Sequence, residues 1–213
     1  RLVTRLLEEG FDVRVMVREP GRLRDYPWIN SVEVVTADAE KPETLPSALQ
    51  GIDVAFYMLH SLSEHDGFEV IEARMATNFG EAAKNAKIQR IVYLGGITPP
   101  NTQLSIHLES RRTTGELLRQ SGIPTTELRA AIIIGSGSAS FEMLRYLTER
   151  LPFMITPRWL NNRVQPIAIR DVLYYLIAAA NEKSSLSHVG DIGGPDIMVY
   201  KEMMQRYAKV AGL

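Results

Sequence analysis

Apolar positions along the chain follow two spacings, which alternate from one end to the other. In the opening stretch RLVTRLLEEG, Leu2, Val3, Leu6 and Leu7 form one helical stripe, and Gly10 is placed to end the helix. The next stretch, DVRVMVRE, alternates valine with polar residues, as a strand does. Further strands are predicted over residues 31–38, 53–59, 90–96, 124–135, 163–169 and 188–194. Further helices are predicted over residues 42–51, 68–86, 104–122, 140–152, 170–180 and 199–210. Ser140 is the expected N-cap of the helix at 140–152.

This alternation predicts an α/β fold with a parallel sheet covered by helices, because a crossover helix joins each pair of parallel strands. The predicted strands at 53–59 and 90–96 are nearly continuous apolar runs, typical of strands covered on both faces. We expect one domain over residues 1–213. Proline and glycine become denser after Gly135, which predicts a small lobe contributed mainly by 136–168 and 184–213.

Composition removes several classes of function. The net charge of -1 gives no reason to expect nucleic acid or an anionic membrane surface as partner. No apolar run approaches the roughly 18 to 20 residues of a membrane span, and the start has no signal-peptide pattern, so we expect a soluble cytoplasmic protein. With no cysteine and four scattered histidines, no metal site is expected. The oligomeric state is left open by the pattern.

The first helix begins without a capping residue. Four N–H groups at a helix start need partners, which a Ser, Thr, Asp, Asn or a bound anion usually supplies. Because residue 1 is arginine rather than methionine, we expect the sequence to be part of a longer chain.

Several stretches have the order and spacing found in one protein family. GIDVAFYMLHS, RIVYLGGI, GELLRQSGIPTTELRA, IIIGSGSASFEMLRYLTERLP, PIAIRDVLYYL and DIGGPD resemble the atypical and extended short-chain dehydrogenase/reductases, in particular the NmrA-like NAD(P)H-binding, nucleoside-diphosphate-sugar epimerase-like proteins. The resemblance covers nearly the whole chain and implies a Rossmann-like, doubly wound parallel sheet. It also implies a strand and a Gly-rich turn ahead of Arg1, so we expect a sheet without its central strand, or an uncovered groove there.

The resemblance implies NAD or NADP as cofactor. Arg18, at the end of a strand, would meet the adenosine ribose, where a cation suits the 2'-phosphate, which slightly favours NADP. A solvated turn arginine beside Glu19 is the alternative. Asp38 resembles the acid that accepts from the adenine amino group, unless it is an ordinary loop aspartate. The nicotinamide side would be lined by Tyr57, Leu59, His60, Leu94, Gly95 and Gly96, although a plain turn also explains the two glycines.

The family's catalytic pair is replaced in this sequence. Family enzymes carry Tyr and Lys four residues apart on one helix face, and those positions hold His107 and Arg111. An imidazole transfers protons near neutrality, and an arginine binds ribose or phosphate oxygens but cannot shuttle protons. Three interpretations stand: catalytic acid/base residues, contacts to cofactor or ligand without catalysis, and surface residues of a helix.

The resemblance places the cofactor's nicotinamide end or the substrate near the loop GSGSAS, with Ser136 and Ser138. The aromatic Trp159 in TPRW, in the expected lobe, is a candidate to line the substrate mouth. A helix-capping turn and packing of the lobe are the alternatives. His60, Ser61 and Asp66 form a weaker candidate for nucleophilic catalysis, because G-x-S-x-G does not surround Ser61.

Two functions follow. The first is an NAD(P)-dependent oxidoreductase or epimerase-like enzyme that acts on a small or nucleotide-linked substrate. The second is a non-catalytic protein that binds NADP(H) as a redox-sensing or structural ligand, for example in assembly.

Overall fold

The structure, a computed structural model, describes residues 1–60, 67–99, 103–150 and 158–213. The helices are α1 (Leu2–Glu8), α2 (Leu45–Leu49), α3 (Phe68–Asn85), α4 (Ile106–Gln120), α5 (Ala139–Arg150), α6 (Ile169–Ala180) and α7 (Tyr200–Ala211). The strands are β1 (Arg14–Val17), β2 (Glu33–Thr36), β3 (Val54–Tyr57), β4 (Arg90–Gly96), β5 (Thr125–Ala130), β6 (Ile133–Ile134), β7 (Arg163–Val164), β8 (Ile167–Ala168), β9 (His188–Ile192) and β10 (Met198–Val199). None of these helices is long and apolar enough to cross a membrane.

The main sheet has the order β3-β4-β5-β9, and every pair in it is parallel. Alternate residues of each strand pack on opposite faces. Tyr57 and Tyr93 join a core with α2, α3 and α4, whereas Val92 and Leu128 join a core with α6. The sheet therefore has helices on both faces, which confirms the predicted α/β class.

A second parallel pair, β1-β2, is separate from the main sheet. Met16 and Val35 of this pair pack on the same core as Tyr57, so β1 and β2 continue the layer of the sheet. Among the described strands no ladder joins β1 to β3.

Two predicted strands each divide in the structure. The strand expected over 124–135 ends at Ala130 in β5, and β6 then pairs with β8 in a separate two-stranded sheet. The strand expected over 163–169 splits into β7 and β8 around Pro166, which has no N–H to donate to a ladder. β7 pairs with β10, a two-residue strand that the sequence pattern did not predict.

The N-cap prediction for α5 was wrong by two residues. The helix begins at Ala139, and Ser138 is its cap, since the N–H of Phe141 donates to Ser138 Oγ at 3.1 Å. Ser140 lies inside the first turn. A sequence with serines at alternate positions offers several equivalent caps, and the turn at Gly137, with φ +73°, selects Ser138.

A third apolar cluster joins α5 and α7 and contains Leu144, Leu160, Met198 and Met203. These residues come from both segments of the expected lobe. β9, from the second segment, pairs instead with β5 in the main sheet.

Arg90, at the start of β4, is a buried cation with three acceptors. Its guanidinium donates to Thr126 Oγ1 at 2.8 Å, to the backbone oxygen of Glu182 at 3.1 Å and to that of Ser184. These bonds satisfy a side chain that is 3% exposed and tie the segment before β9 to the main sheet.

Candidate functional site

Arg18 and Asp38 follow the carboxyl ends of two paired strands. Val17 and Thr36 are partners at the end of the β1-β2 ladder, so Arg18 and Asp38 emerge at the same edge. Asp38 is half-buried, and its Oδ1 accepts the N–H of Glu40 at 3.0 Å. Arg18 is exposed, and among the described residues no carboxylate pairs with it, because neighbouring Glu19 binds Arg22 at 2.8 Å instead.

Two tyrosines lie buried beneath the carboxyl end of the main sheet. Tyr57 and Tyr93 are partners in the β3-β4 ladder, with ring centroids 6.0 Å apart. Burial raises the pKa of both hydroxyls, that of Tyr93 to about 12. Tyr57 is 1% exposed, so it packs beneath the edge of the sheet and does not offer its hydroxyl to a ligand. Leu59 and Leu94, also expected to line the cofactor, are half-buried and pack against the two cores.

Gly95 and Gly96 lie within β4 rather than in a turn, and neither has a positive φ. A β-carbon on Gly96 would lie 2.9 Å from Leu108 Cδ2 and 3.6 Å from Arg111 Cδ. The missing side chain therefore lets the first turns of α4 pack closely on the end of β4, which positions Arg111 at this edge.

Arg111 connects α4 to the buried tyrosines. The Tyr93 hydroxyl donates to the backbone oxygen of Arg111 at 3.1 Å. The half-buried guanidinium also acts on His60, three residues past β3: burial lowers the pKa of the His60 imidazole most, and the positive charge of Arg111 lowers it further. Both residues lie toward the carboxyl edge of the main sheet, His60 past the end of β3 and Arg111 in α4 beside the end of β4.

Glu72 of α3 also acts on the pKa values of His60 and the two buried tyrosines, and it was not predicted from the sequence. Its side chain is 5% exposed and accepts a hydrogen bond from Ser110 Oγ of α4. A signal for it existed, since Glu72 falls in the otherwise apolar stripe Phe68, Ala76 and Phe79 of α3.

His107 lies one helical turn before Ser110 and Arg111 and is more exposed than either. It is exposed on the first turn of α4, and its ring stacks on Phe68 of α3 with centroids 4.6 Å apart and 24° between the planes. The predicted spacing on α4 is present, but the side chains of His107 and Arg111 have different surroundings.

Hydrogen bonds tie the loop at 135–138 to Arg1, to β6 and to the start of α5. The Arg1 guanidinium donates to the backbone oxygen of Ser136, which is exposed. Ser138 Oγ caps α5 and donates to the backbone oxygen of Ile133 at 2.9 Å. Ser138 therefore has a capping role, which leaves Ser136 as the accessible hydroxyl of the loop.

Trp159, the third expected substrate residue, is 40% exposed and packs edge-on against Tyr200, with centroids 5.0 Å apart. Tyr200 is buried, and its hydroxyl has no hydrogen-bond partner among the described residues. Ser61, Asp66, Thr156 and Pro157 lie outside the described residues.

The donor set fits an anionic dinucleotide. Arg18 stands at the end of β1, Asp38 follows the end of β2, and Arg111 lies in α4 beside the end of β4. Within the described ranges, no group of three or more His, Asp or Glu residues is placed to hold a metal ion.

Comparison with known proteins identifies the family and supports the fold. A family model described as NAD(P)H-binding matches residues 1–144. Among curated proteins, the photosystem II assembly factor Ycf39 of Trieres chinensis is 23% identical over 220 residues, covering 100% of this chain and 65% of that protein. The chain thus spans less than two thirds of the length of that relative.

Solved structures share the fold at low sequence identity. MoeE5, in complex with UDP-glucuronic acid and NAD, aligns with a TM-score of 0.81 at 18% identity, covering 100% of this chain and 78% of that one. The triphenylmethane reductase of Citrobacter sp., complexed with NADP(H), aligns with a TM-score of 0.74 at 22% identity, covering 99% and 72%. These similarities support the Rossmann-like arrangement of the sheet.

Proposed function

Because the chain belongs to the NAD(P)H-binding family, we propose that it is the dinucleotide-binding part of an NAD(P)(H)-dependent oxidoreductase or epimerase-like enzyme that acts on a small or nucleotide-linked substrate. The observation that carries this proposal is the close approach of Arg111, on α4, to Gly96 at the carboxyl end of β4, which places a cation at that edge of the sheet. In an open parallel sheet this edge is where ligands bind.

The proposed cofactor is NADP(H). Its 2'-phosphate would bind Arg18, which has no competing carboxylate among the described residues, and its adenine amino group would donate to Asp38. Arg111 would hold the ribose or phosphate oxygens on the nicotinamide side, next to Leu59, His60 and Leu94. When bound, the dinucleotide supplies a hydride donor or acceptor.

The substrate would enter from the lobe side, past Ser136 and Trp159, with Ser138 fixing the loop. Two histidines, His60 and His107, are candidates to move the proton that accompanies hydride transfer. The charge of Arg111 lowers the pKa of His60, whereas His107 stacks on the ring of Phe68 in α3.

A non-catalytic role is the second candidate. The family's Tyr and Lys are replaced by His107 and Arg111, and the relative from Trieres chinensis, aligned along the whole chain, is named as an assembly factor. In this case NADP(H) would be a structural or redox-sensing ligand of a protein that assists assembly.

Fluorescence of bound NADPH tests both functions with the full-length protein. Titration is expected to give saturable binding, and adding quinones, aldehydes or nucleotide sugars is expected to consume the NADPH signal with at least one of them. Binding without turnover of any class favours the non-catalytic role. Absence of binding contradicts both.

A further inference from the structure

The His60 imidazole contacts a backbone oxygen just past the carboxyl end of β3. Its Nδ1 lies 3.2 Å from the backbone oxygen of Met58. A carbonyl oxygen only accepts, so Nδ1 carries the hydrogen of this bond. In the neutral ring the lone pair is then on Nε2, the nitrogen at the other side of the ring from Met58.

The charges around His60 favour this neutral form. Burial and the guanidinium of Arg111, on α4, lower its pKa, whereas Glu72, on α3, and the bond to Met58 act in the opposite direction. The side chain remains exposed at its outer part, so it exchanges protons with solvent. A neutral imidazole with a free nitrogen and access to water has the properties of a general base.

His107 has a different environment. Its ring face is occupied by Phe68 of α3, and the residue is exposed in the first turn of α4. The Tyr93–Arg111 bond and the Ser110–Glu72 bond both lie on the inner side of the same helix, where α4 faces β4 and α3.

From this geometry we infer that His60, rather than His107, moves the proton in the reaction of the proposed function, on which this inference rests. In the oxidation direction the O–H bond of a substrate alcohol breaks and its proton passes to Nε2 of His60. The electron pair of the adjacent C–H bond would leave as hydride, which a bound oxidised dinucleotide would accept, and the C=O bond would form. The imidazolium then returns its proton to solvent.

In the reduction direction the same nitrogen donates the proton to the carbonyl oxygen as hydride arrives on the carbon. Arg111 acts here as a positioning residue: its charge keeps the resting imidazole neutral, and it holds the dinucleotide beside it.

Nitrogen-15 NMR of the four histidines tests the inference without any substrate. His60→Asn assigns the resonance, which is expected to report hydrogen on Nδ1 and a pKa below about 6.5. Arg111→Gln is expected to raise that pKa, and the matched control Arg112→Gln, on the same helix but paired with Glu109, is expected to leave it unchanged. The inference is overturned if the neutral ring carries its hydrogen on Nε2, or if the pKa of His60 is the same in Arg111→Gln as in the wild type.

A second test measures reaction rates with any substrate that the protein is found to turn over. The rate of alcohol oxidation is expected to rise with pH through the pKa of His60, and His60→Asn is expected to remove this dependence with a loss in kcat of about 100-fold or more. His188→Asn, at the start of β9 and away from the site, is the control. Loss of the pH dependence in His107→Asn, with retention in His60→Asn, overturns the inference.

The two failures are distinguishable. If the protein does not bind NADPH, the proposed function fails. If it binds and turns over substrate while His60→Asn keeps the pH dependence, the proposed function stands and only the role of His60 is wrong.

Discussion

The ring of His107 stacks on the ring of Phe68, with centroids 4.6 Å apart, and so joins the first turns of α4 and α3. Phe68 is 7% exposed and belongs to the interior, whereas His107 covers it from outside. The histidine that the resemblance places at the family's tyrosine position therefore contributes to the packing of two helices.

The first prediction concerns the energy of that stacking. In a double-mutant cycle of His107→Ala and Phe68→Leu, a coupling of about 0.5 to 1.5 kcal/mol is expected, the usual value for an aromatic pair. Urea unfolding of the four proteins measures it. A coupling near zero contradicts a stabilising contact.

The second prediction concerns the choice of dinucleotide. Arg18→Ala is expected to weaken binding of NADPH about tenfold, because a charged hydrogen bond to the 2'-phosphate is lost, and to change NADH binding less than about twofold. Arg24→Ala is a matched control, since Arg24 is also exposed and lies a few residues along. If Arg18→Ala weakens the binding of NADPH and NADH equally, Arg18 does not recognise the 2'-phosphate.

The third prediction concerns a buried carboxylate behind the site. Glu127 is 1% exposed and paired with Arg119 and Arg129, and a β-carbon on Gly115 would lie 2.5 Å from its Oε2. Gly115→Ala is expected to cost about 1 to 3 kcal/mol of stability through overpacking.

Thermal or urea unfolding measures this cost. Gly21→Ala is the control, because a β-carbon there meets nothing within 4 Å, and it is expected to change stability by less than about 0.5 kcal/mol. If both variants unfold alike, Gly115 does not make room for Glu127.

The fourth prediction concerns alkaline pH. Burial raises the pKa of Tyr93 from 10.0 to about 12, so between these values the unfolded chain loses a proton that the folded protein keeps. The stability contributed by the neutral hydroxyl is complete below pH 10 and is lost as pH rises toward 12, by about 1 kcal/mol per pH unit.

Urea midpoints at about pH 9, 10 and 11 are expected to fall less steeply in Tyr93→Phe than in the wild type. Tyr26→Phe, at an exposed tyrosine, is expected to keep the wild-type slope. The comparison is of slopes, because Tyr93→Phe also removes the bond to Arg111 and lowers stability at every pH.

Local patterns predicted most of the elements but not how short segments pair. The helix at 68–86 and the strand at 90–96 have strong periodicity and appear as α3 and β4 with nearly the expected bounds. The division of 124–135 into β5 and β6 depends on which strands lie beside them, β9 in one case and β8 in the other. Those partners are distant in sequence, so periodicity alone carries no information about them.

The same limit applies to the site. The spacing on one helix correctly placed His107 and Arg111 on the same face. It could not show that Phe68 of α3 stacks on His107, or that the charge of Arg111 lowers the pKa of His60. These relationships cross between elements, and only the packing of α3, β3 and α4 determines them.

The buried guanidinium of Arg90 also sets an order of events during synthesis. Its backbone acceptors, Glu182 and Ser184, lie 92 and 94 residues further along the chain. At typical elongation rates they are made about 5 to 20 s after Arg90 itself. Until then the cation has to stay hydrated, so the start of β4 remains open to water and to chaperones while the intervening helices are already forming. The nascent chain therefore completes this part of its interior only once the segment between α6 and β9 has left the ribosome.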